Sequence, residues 1–476
     1  MPSFYFLDVD FLVIFVPLQL LYIYREMNRD TIDLENGRVG TLFRRILIPT
    51  LLGSLAISAV TAIDGIFIGH GVGADGVAAV NIVVPIYQIM SGLGLMVGAG
   101  CSVVSSIHVG RRKVRAARMN VTQALVGTSL LCALLCLLIW LWPSETARLL
   151  GSSESLLPQV RDYLIWIVPC FVFEMWSFIG LFIIRLDGAP KVAMWCNVIS
   201  CVLNAVLDWI FIFPLGMGVK GAAIATGISI AVGGIMALGY LLFFAHSLYP
   251  ARVKWSHKSL QLSLRNIGYQ CRIGSASLLG EMTLAVLTFA GNLTFMHYLG
   301  DEGVGAFGIA CYYSPFFFMI GNAIAQSAQP IISYDFGTGR HHRIHQALRL
   351  MLCTSATFAV VVTLGFVFFP SPLTALFVDP QSLAGQLSIE GFPYFAVGIL
   401  FYILNIALTG YYQSLEDMRR ATLIVLLRTA LLVPSFLLLP LWLGTPGIWL
   451  AMPVAEMLTL GVIQISRQSK RRIAHA

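Results

Sequence analysis

Apolar runs of twenty or so residues recur along the whole chain, each closed by a short polar or glycine-containing break. Runs of that length cross a hydrocarbon core of ~30 Å as helices, and the period-two alternation of an outer-membrane barrel is missing from them. The pattern predicts six spans at about 42–66, 78–107, 119–142, 159–185, 191–214 and 219–245. A basic stretch at about 246–265, with Arg252, Lys254, Lys258 and Arg265, then divides the chain. Six further spans follow near 269–298, 304–334, 346–370, 388–412, 420–441 and 446–466. Before the first of them, residues 4–24 are apolar but carry Asp8 and Asp10, which does not fit a signal peptide that begins basic and ends at a small-residue cleavage site. They read either as an extra N-terminal hydrophobic helix or as an upstream extension, with Met27 as the working start.

The fold class that follows is an all-α polytopic membrane protein with twelve core helices. Its expected parts are an N-terminal extension 1–33, an N-lobe of six helices 34–246, a basic linker 247–265, a C-lobe of six helices 266–466 and a basic tail 467–476. Composition agrees. Of 476 residues, 58% are hydrophobic and 11% charged, where a soluble domain carries about 25% charged residues. The net charge of +7 needs no nucleic acid, because nearly all the Lys and Arg fall in loops after even-numbered helices or at the ends of the core. Only Arg148, Arg161 and Lys220 fall in the opposite set, which leaves 27 of the 30 basic residues on one side. The positive-inside rule makes that side, and both ends of the twelve-helix core, cytoplasmic. The expected location is the bacterial cytoplasmic (inner) membrane. The nine cysteines lie in or beside apolar runs without a CxxC pair and read as small apolar residues, with no disulfide or metal role.

The two halves repeat each other. Gly73-Ala-Asp75-Gly76-Val77 matches Gly300-Asp301-Glu302-Gly303-Val304 at an offset of 227, and Gly110 matches Gly337 at the same offset, each glycine followed by a basic stretch. Gly218-Val-Lys220-Gly221 faces Gly444-Thr-Pro-Gly447 at offset 226. With six helices in each half the repeat is parallel, about an axis along the membrane normal. Repeats of this kind place substrate and ion sites near the midplane.

Candidate chemistry sits in the first half. Asn204 and Asp208 are four residues apart on one face of the fifth helix, Asp64 is near the far end of the first, and Thr226 follows a Pro214-Leu-Gly216-Met-Gly218 break in the sixth. A carboxylate near the bilayer centre costs about 2.5–3.5 kcal/mol on the insertion scale. Two carboxylates, an amide and a hydroxyl suit Na⁺, or a proton shared by paired acids; the structural alternative is hydrogen bonding between neighbouring helices. Glu281, early in the seventh helix, is a candidate second proton or cationic-substrate site. Glu174 and Glu456 read as helix-packing groups, Asp187, Asp335 and Glu390 as solvated helix ends, and the HHRIH run at 341–345 as a solvated loop. Tyr87, Tyr312, Tyr313, Phe316, Phe317 and Phe318 are candidates for a cavity wall or for packing. No Gly-rich phosphate loop, HExxH or GxSxG is present, so an enzyme is not expected and energy must come from an ion gradient or from exchange.

Several motifs together resemble the multidrug and toxic compound extrusion (MATE) family, of the multidrug/oligosaccharidyl-lipid/polysaccharide exporter superfamily. They are Ile48-Pro49 followed by Ile63-Asp64-Gly-Ile-Phe-Ile-Gly69, Asn204-Ala-Val-Leu-Asp208-Trp-Ile-Phe-Ile-Phe213, Gly216-Met-Gly218-Val-Lys-Gly221-Ala-Ala-Ile-Ala-Thr226 and, in the second half, Gln326-Ser-Ala-Gln329-Pro330 with Gly337 after Tyr334-Asp335. The resemblance implies two six-helix lobes related by a pseudo-two-fold axis, in a V around a central cavity. It implies export of cationic, amphipathic compounds in exchange for Na⁺ or H⁺, with no other cofactor. It maps the family's N-lobe cation site onto Asp64, Asn204, Asp208 and Thr226, its first-helix kink onto Pro49, and a seventh-helix acid of one branch onto Glu281. The tenth helix offers only Glu390, which does not match that branch's acid, and Asp335 stands where the family usually has Asn. One chain carries both lobes, so a monomer is expected, with small cationic or amphipathic molecules and the lipid bilayer as its partners. The nearest alternative is a lipid-linked saccharide flippase, which would need a strongly cationic cavity.

Overall fold

The computed structural model describes residues 32–251 and 257–474, and among them every regular element is a helix. The apolar segment 4–24 and most of the proposed extension lie outside the described residues. Eleven helices are long and apolar enough to cross a membrane: α1 Val39–Gly71, α2 Ala74–Gly110, α3 Val114–Leu141, α4 Leu157–Leu186, α5 Pro190–Ile212, α6 Gly218–Phe244, α7 Ser259–Gly300, α8 Glu302–Thr338, α9 His341–Phe368, α10 Leu383–Ser414 and α11 Met418–Leu443. The last helix, α12 Ala451–Ala474, has a shorter apolar part, Ala451–Gln464. The chain is a multi-pass membrane protein, and its exposed apolar residues form stripes for lipid. On α3, Leu130, Leu134, Leu137 and Leu141 are exposed along one face, while Leu125, Thr128, Cys132 and Cys136 of the other are buried. The described cysteines are free.

Helix ends follow the glycines. Gly73 (φ 92°, ψ −168°) starts α2, Gly300 (φ 65°, ψ −159°) separates α7 from α8, and Gly444 (φ 64°, ψ −141°) ends α11. Only glycine reaches that region without a steric penalty, so Gly73 and Gly300, matched in the sequence repeat, also match in backbone shape. Two elements differ from the sequence expectation. The seventh helix starts about ten residues early, so Arg265 lies within α7 rather than in a linker. The twelfth starts late, because Gly444 and Pro446 set off a separate short helix, Thr445–Trp449.

The halves exchange helix ends on the side that carries the basic loops. The first turns of α1 (Val39, Leu42, Phe43, Ile46) sit in the core of the second half with Ile331, Ile344 and Leu348. Conversely, the start of α7 hydrogen-bonds the first half: Asn266 donates to Asn120 at 2.6 Å, Gln123 donates to Ser263 at 2.9 Å and Gln270 donates to the Asn120 carbonyl at 3.3 Å. Glycines let the backbones meet. A Cβ on Gly110 would lie 2.5 Å from the Tyr334 carbonyl oxygen and one on Gly337 2.5 Å from that of Ile107, a reciprocal contact between repeat-related positions. A Cβ on Gly274 would stand only 1.7 Å from the Met96 carbonyl oxygen. Gly274→Val is therefore expected to pry α7 from α2, at a cost of about 1–3 kcal/mol or more, read as a lower melting midpoint of the detergent-purified protein. An unchanged midpoint would mean that the crossing is not close-packed.

Two acids expected to be solvated are buried. Asp187, just past α4, accepts hydrogen bonds from Tyr240 Oη, the Ser247 hydroxyl and the N–H groups of His246, Ser247 and Leu248, at 2.8–3.1 Å. These N–H groups follow the end of α6 and have no helical partner, so one carboxylate caps the whole turn. Asp335 is fully buried and takes the Nε of Arg343 on both oxygens, at 3.0 and 2.9 Å. The same Arg343 donates to the carbonyls of Gly37 and Leu34, and Arg340 donates to that of Glu35. Just before them Asp33 accepts from Asn36, and that amide holds its carboxyl below the usual range. Glu390 is exposed, as expected. The histidines at 341, 342 and 345 are exposed too, but on the first turns of α9 rather than in a loop.

Candidate functional site

The structure brings the four first-half residues together. Asp64 lies within about two turns of the end of α1, Asp208 in the last turns of α5, and Thr226 in the first turns of α6. The site therefore sits toward the helix ends away from the basic side, not at the centre of the spans. The Asn204 amide donates to Asp208 Oδ2 at 2.8 Å, with Thr226 Oγ1 3.4 Å from the same nitrogen. The carboxyl groups of Asp64 and Asp208 lie close enough to interact directly. Asn204 and Asp208 are almost wholly buried, and the Oδ1 atoms of Asp64 and Asp208 are buried without a partner. Tyr163 of α4 packs on Ile68, Ile212 and Ala222 beside the two acids. Nothing in the sequence singles out this tyrosine, because it comes from a helix without any site motif.

Two ionised carboxylates at ~4 Å repel by about 4 kcal/mol even at an effective dielectric near 20. A pair in direct contact must share a proton or hold a cation between its oxygens. The unpartnered Oδ1 atoms and the Thr226 hydroxyl are oxygen donors of the kind Na⁺ takes. Asn204, however, turns its N–H₂ toward the carboxylate, an arrangement that suits a shared proton without rearrangement.

Pro49 lies in the interior of α1, which stays one helix. It is four turns from Asp64, on the part of α1 that packs into the second half. Glu281 does not join the first-half site. It lines a cavity of about 520 Å³ between α2, α7 and α11, with Gln88, Met282, Phe289, Phe436 and Leu437. Glu174 is buried on α4 and accepts from the Ser91 hydroxyl at 2.8 Å. Of the aromatic candidates, Phe318 lines a deeper chamber, whereas Tyr313 and Phe317 pack into the rings of Phe366 and Phe392.

Glu456 has a partner that the sequence reading missed. Arg428 of α11 donates through Nε to both Glu456 oxygens at 2.9 Å, and Asn405 of α10 donates to Oε2 at 2.7 Å and to the Glu456 carbonyl at 2.9 Å. The guanidinium lies 4.7 Å from the ring centre of Tyr402. Arg428 and Glu456 are 3% and 4% exposed, so this is a buried ion pair. Arg428 lies about 15 Å along α11 from its start. It is inside a span, not in a loop as the basic-residue tally took it. A base in the middle of an apolar run was the available signal.

Comparison with known proteins places the chain. A profile described as MatE matches residues 49–210 and 276–438. The chain belongs to the MatE family. The family is one of transporters, so the chain is a transporter and not an enzyme. It is 27% identical over 450 residues to the FAD transporter of Shewanella oneidensis, covering 90% of this chain and 94% of that one. It is 22% identical over 426 residues to the multidrug export protein MepA of Staphylococcus aureus, covering 89% and 92%. A mutant of the Vibrio cholerae MATE transporter VcmN shares the fold with a TM-score of 0.82 at 21% identity, over 91% of this chain and 97% of that one.

Proposed function

We propose that this MatE-family transporter is a secondary active antiporter that exports cationic, amphipathic compounds in exchange for H⁺ or Na⁺. The observation that carries this reading is the contact between the Asp64 and Asp208 carboxyls in a buried site with Asn204 and Thr226. A buried acid pair changes its charge when a proton or cation arrives, and so biases the helices that hold it. Helices α1 and α5 end near this pair and α6 starts near it. The helix α1 also reaches into the second half, so a shift at Asp64 moves a helix shared by both halves. Pro49 is its bending point, since proline removes one backbone bond from the ladder there.

The cavity beside Glu281 is the proposed substrate site. Its walls are mostly apolar and aromatic, and one acid faces them, which suits an apolar cation. The basic side is read as cytoplasmic and the membrane as the bacterial inner membrane. The halves meet on that side through the Gly110 and Gly337 contacts and through hydrogen bonds from Ser106 to the Pro330 carbonyl (3.1 Å) and from Gln329 to the Ala99 carbonyl (3.0 Å). Those contacts support a state closed to the cytoplasm, in which the acid pair loads from outside and displaces substrate.

The test is efflux of a cationic dye such as ethidium from cells, with the H⁺ and Na⁺ gradients collapsed separately. Loss of efflux with one gradient is expected and names the ion. Efflux that survives both collapses would overturn antiport. One observation favours a second reading, a carrier of phosphate-bearing cargo such as a lipid-linked saccharide or the flavin dinucleotide in the Shewanella relative's name. The guanidinium of Arg428 lies within the membrane rather than in a loop. Such cargo would leave ethidium efflux at background.

A further inference from the structure

Below the Glu281 cavity lies a second chamber of about 40 Å³, lined by residues of both halves, among them Phe182, Phe318, Gln326, Gln413 and Arg428. Gly280 faces this chamber and Glu281 the larger cavity, so consecutive residues of α7 border the two spaces. At roughly 10–15 Å³ per water-sized group, the lower chamber has room for about three heavy atoms. That is the size of a carboxylate head and too small for a ring.

Gln413 and Gln329 of its lining donate elsewhere, to Ser277 and to the carbonyls of Ile273 and Ala99, so free donors of the chamber come from Arg428 and Gln326. Arginine carries N–H groups and no acceptor. Because Arg428 meets Glu456 through Nε, the ion pair leaves its two terminal nitrogens, beside the Tyr402 ring, on the residue that lines the chamber. On the opposite wall, Arg185 donates to Gln326 Oε1 at 2.7 Å. A donor-only partner fixes that amide with its oxygen toward Arg185, so Gln326 keeps its N–H₂ group for other partners. Arg185 is 5% exposed, and its Nε is buried with no partner. An uncompensated guanidinium behind Gln326 makes this end of the cleft positive, while Glu281 makes the upper end negative. The Arg428–Glu456 pair is neutral as a whole, so Arg185 sets the sign.

We propose that the lower chamber is a subsite for the anionic group of a substrate, held by Arg428 and by the Gln326 amide that Arg185 orients. The cleft then selects amphipathic zwitterions, with the amine or other cation toward Glu281 and a carboxylate or phosphate toward Arg428. This rests on reading the cleft as the substrate path. It assigns to Arg428 a role in specificity that packing of α11 against α12 does not require.

The test uses a matched pair of fluorescent probes, a xanthylium dye with a free carboxylate and its methyl ester, which has the same cation and no anion. Equilibrium binding of both is measured on the purified full-length protein, and the ratio of the two affinities is the readout. The ester serves as an internal reference in every variant. Wild type is expected to favour the acid by about ten- to a hundred-fold, the size of one or two charge-assisted hydrogen bonds. Arg428→Lys keeps a cation for Glu456 but loses the planar fork, and Arg428→Met with Glu456→Met removes the pair without leaving a lone buried charge. Both are expected to bring the ratio close to one. Competition by benzoate and by phenyl phosphate then separates a carboxylate from a phosphate preference. A ratio near one in wild type, or one unchanged in both variants, would overturn the proposal. Gradient-driven efflux of the ester tests the antiport reading alone, so an inert ester with an Arg428-dependent acid ratio sinks that reading and leaves the subsite standing.

Discussion

Arg428→Met alone is expected to destabilise the protein by about 3–5 kcal/mol, the usual loss when one partner of a buried ion pair is removed. The environment explains why. Glu456 is 4% exposed and takes hydrogen bonds from Arg428 Nε on both oxygens and from Asn405 on one. Without the arginine, one amide is left to compensate a carboxylate that water does not reach, so the acid must take up a proton or drag water into the bundle. Glu456→Met leaves the mirror problem, a guanidinium over Tyr402 with no counter-charge. The double replacement by methionine, whose flexible unbranched chain fills irregular gaps, is expected to recover most of the loss. Melting midpoints of the four detergent-purified proteins form a double-mutant cycle that measures the coupling. Single variants that melt with wild type would show that the pair contributes nothing to the fold. Arg428 would then not be rigidly held by Glu456.

The same residues show where the sequence could be read and where it could not. Spans were legible because lipid demands long apolar helices with internally satisfied backbones. Breaks were legible because Gly73, Gly300 and Gly444 adopt φ/ψ values that other residues avoid. Asn204 and Asp208 stood out by their helical spacing in an apolar run, and Asp64 by its motif; the structure puts the three side by side. The repeat points to the midplane, whereas Asp64 and Asp208 lie near the ends of α1 and α5, because spacing fixes a face of a helix and not a height in the membrane. What stayed hidden depends on contacts distant in sequence. The partner of Glu456 is 28 residues away on another helix, and the N–H groups that bury Asp187 are 59 to 61 residues away. Asp335 looked like a helix end in water because nothing local announces that Arg343 and the backbone of residues 34–37 close over it. The exchange of helix ends between the halves is equally silent in one dimension. Its trace is small residues such as Gly100 and Gly274, which mark close approach without naming the partner.

Asp208→Asn is expected to reduce gradient-driven efflux by about a hundred-fold or more, to the level of cells without the transporter. The substitution keeps the size of the side chain and a hydrogen-bonding partner for Asn204, which donates to Oδ2 at 2.8 Å. It removes the charge that a proton or Na⁺ would neutralise. The site then reads as permanently occupied, because an amide facing Asp64 can donate to that carboxylate much as a protonated acid would. A transporter that cannot register the ion has no means of linking its gradient to substrate movement, since a ligand shifts a conformational equilibrium only by its differential affinity for the two states. Binding of the dye in the Glu281 cavity involves a different part of the fold and is expected to persist, within a few-fold, in the purified variant. The pair of measurements therefore separates coupling from substrate recognition. Lost efflux with retained dye binding and normal membrane insertion would place Asp208 in the coupling step. Efflux at the wild-type rate in Asp208→Asn, and again in Asp64→Asn, would reduce the acid pair to interhelical hydrogen bonding and send the search for the coupling ion to Glu174, buried on α4, and to Glu281, half-buried beside the larger cavity.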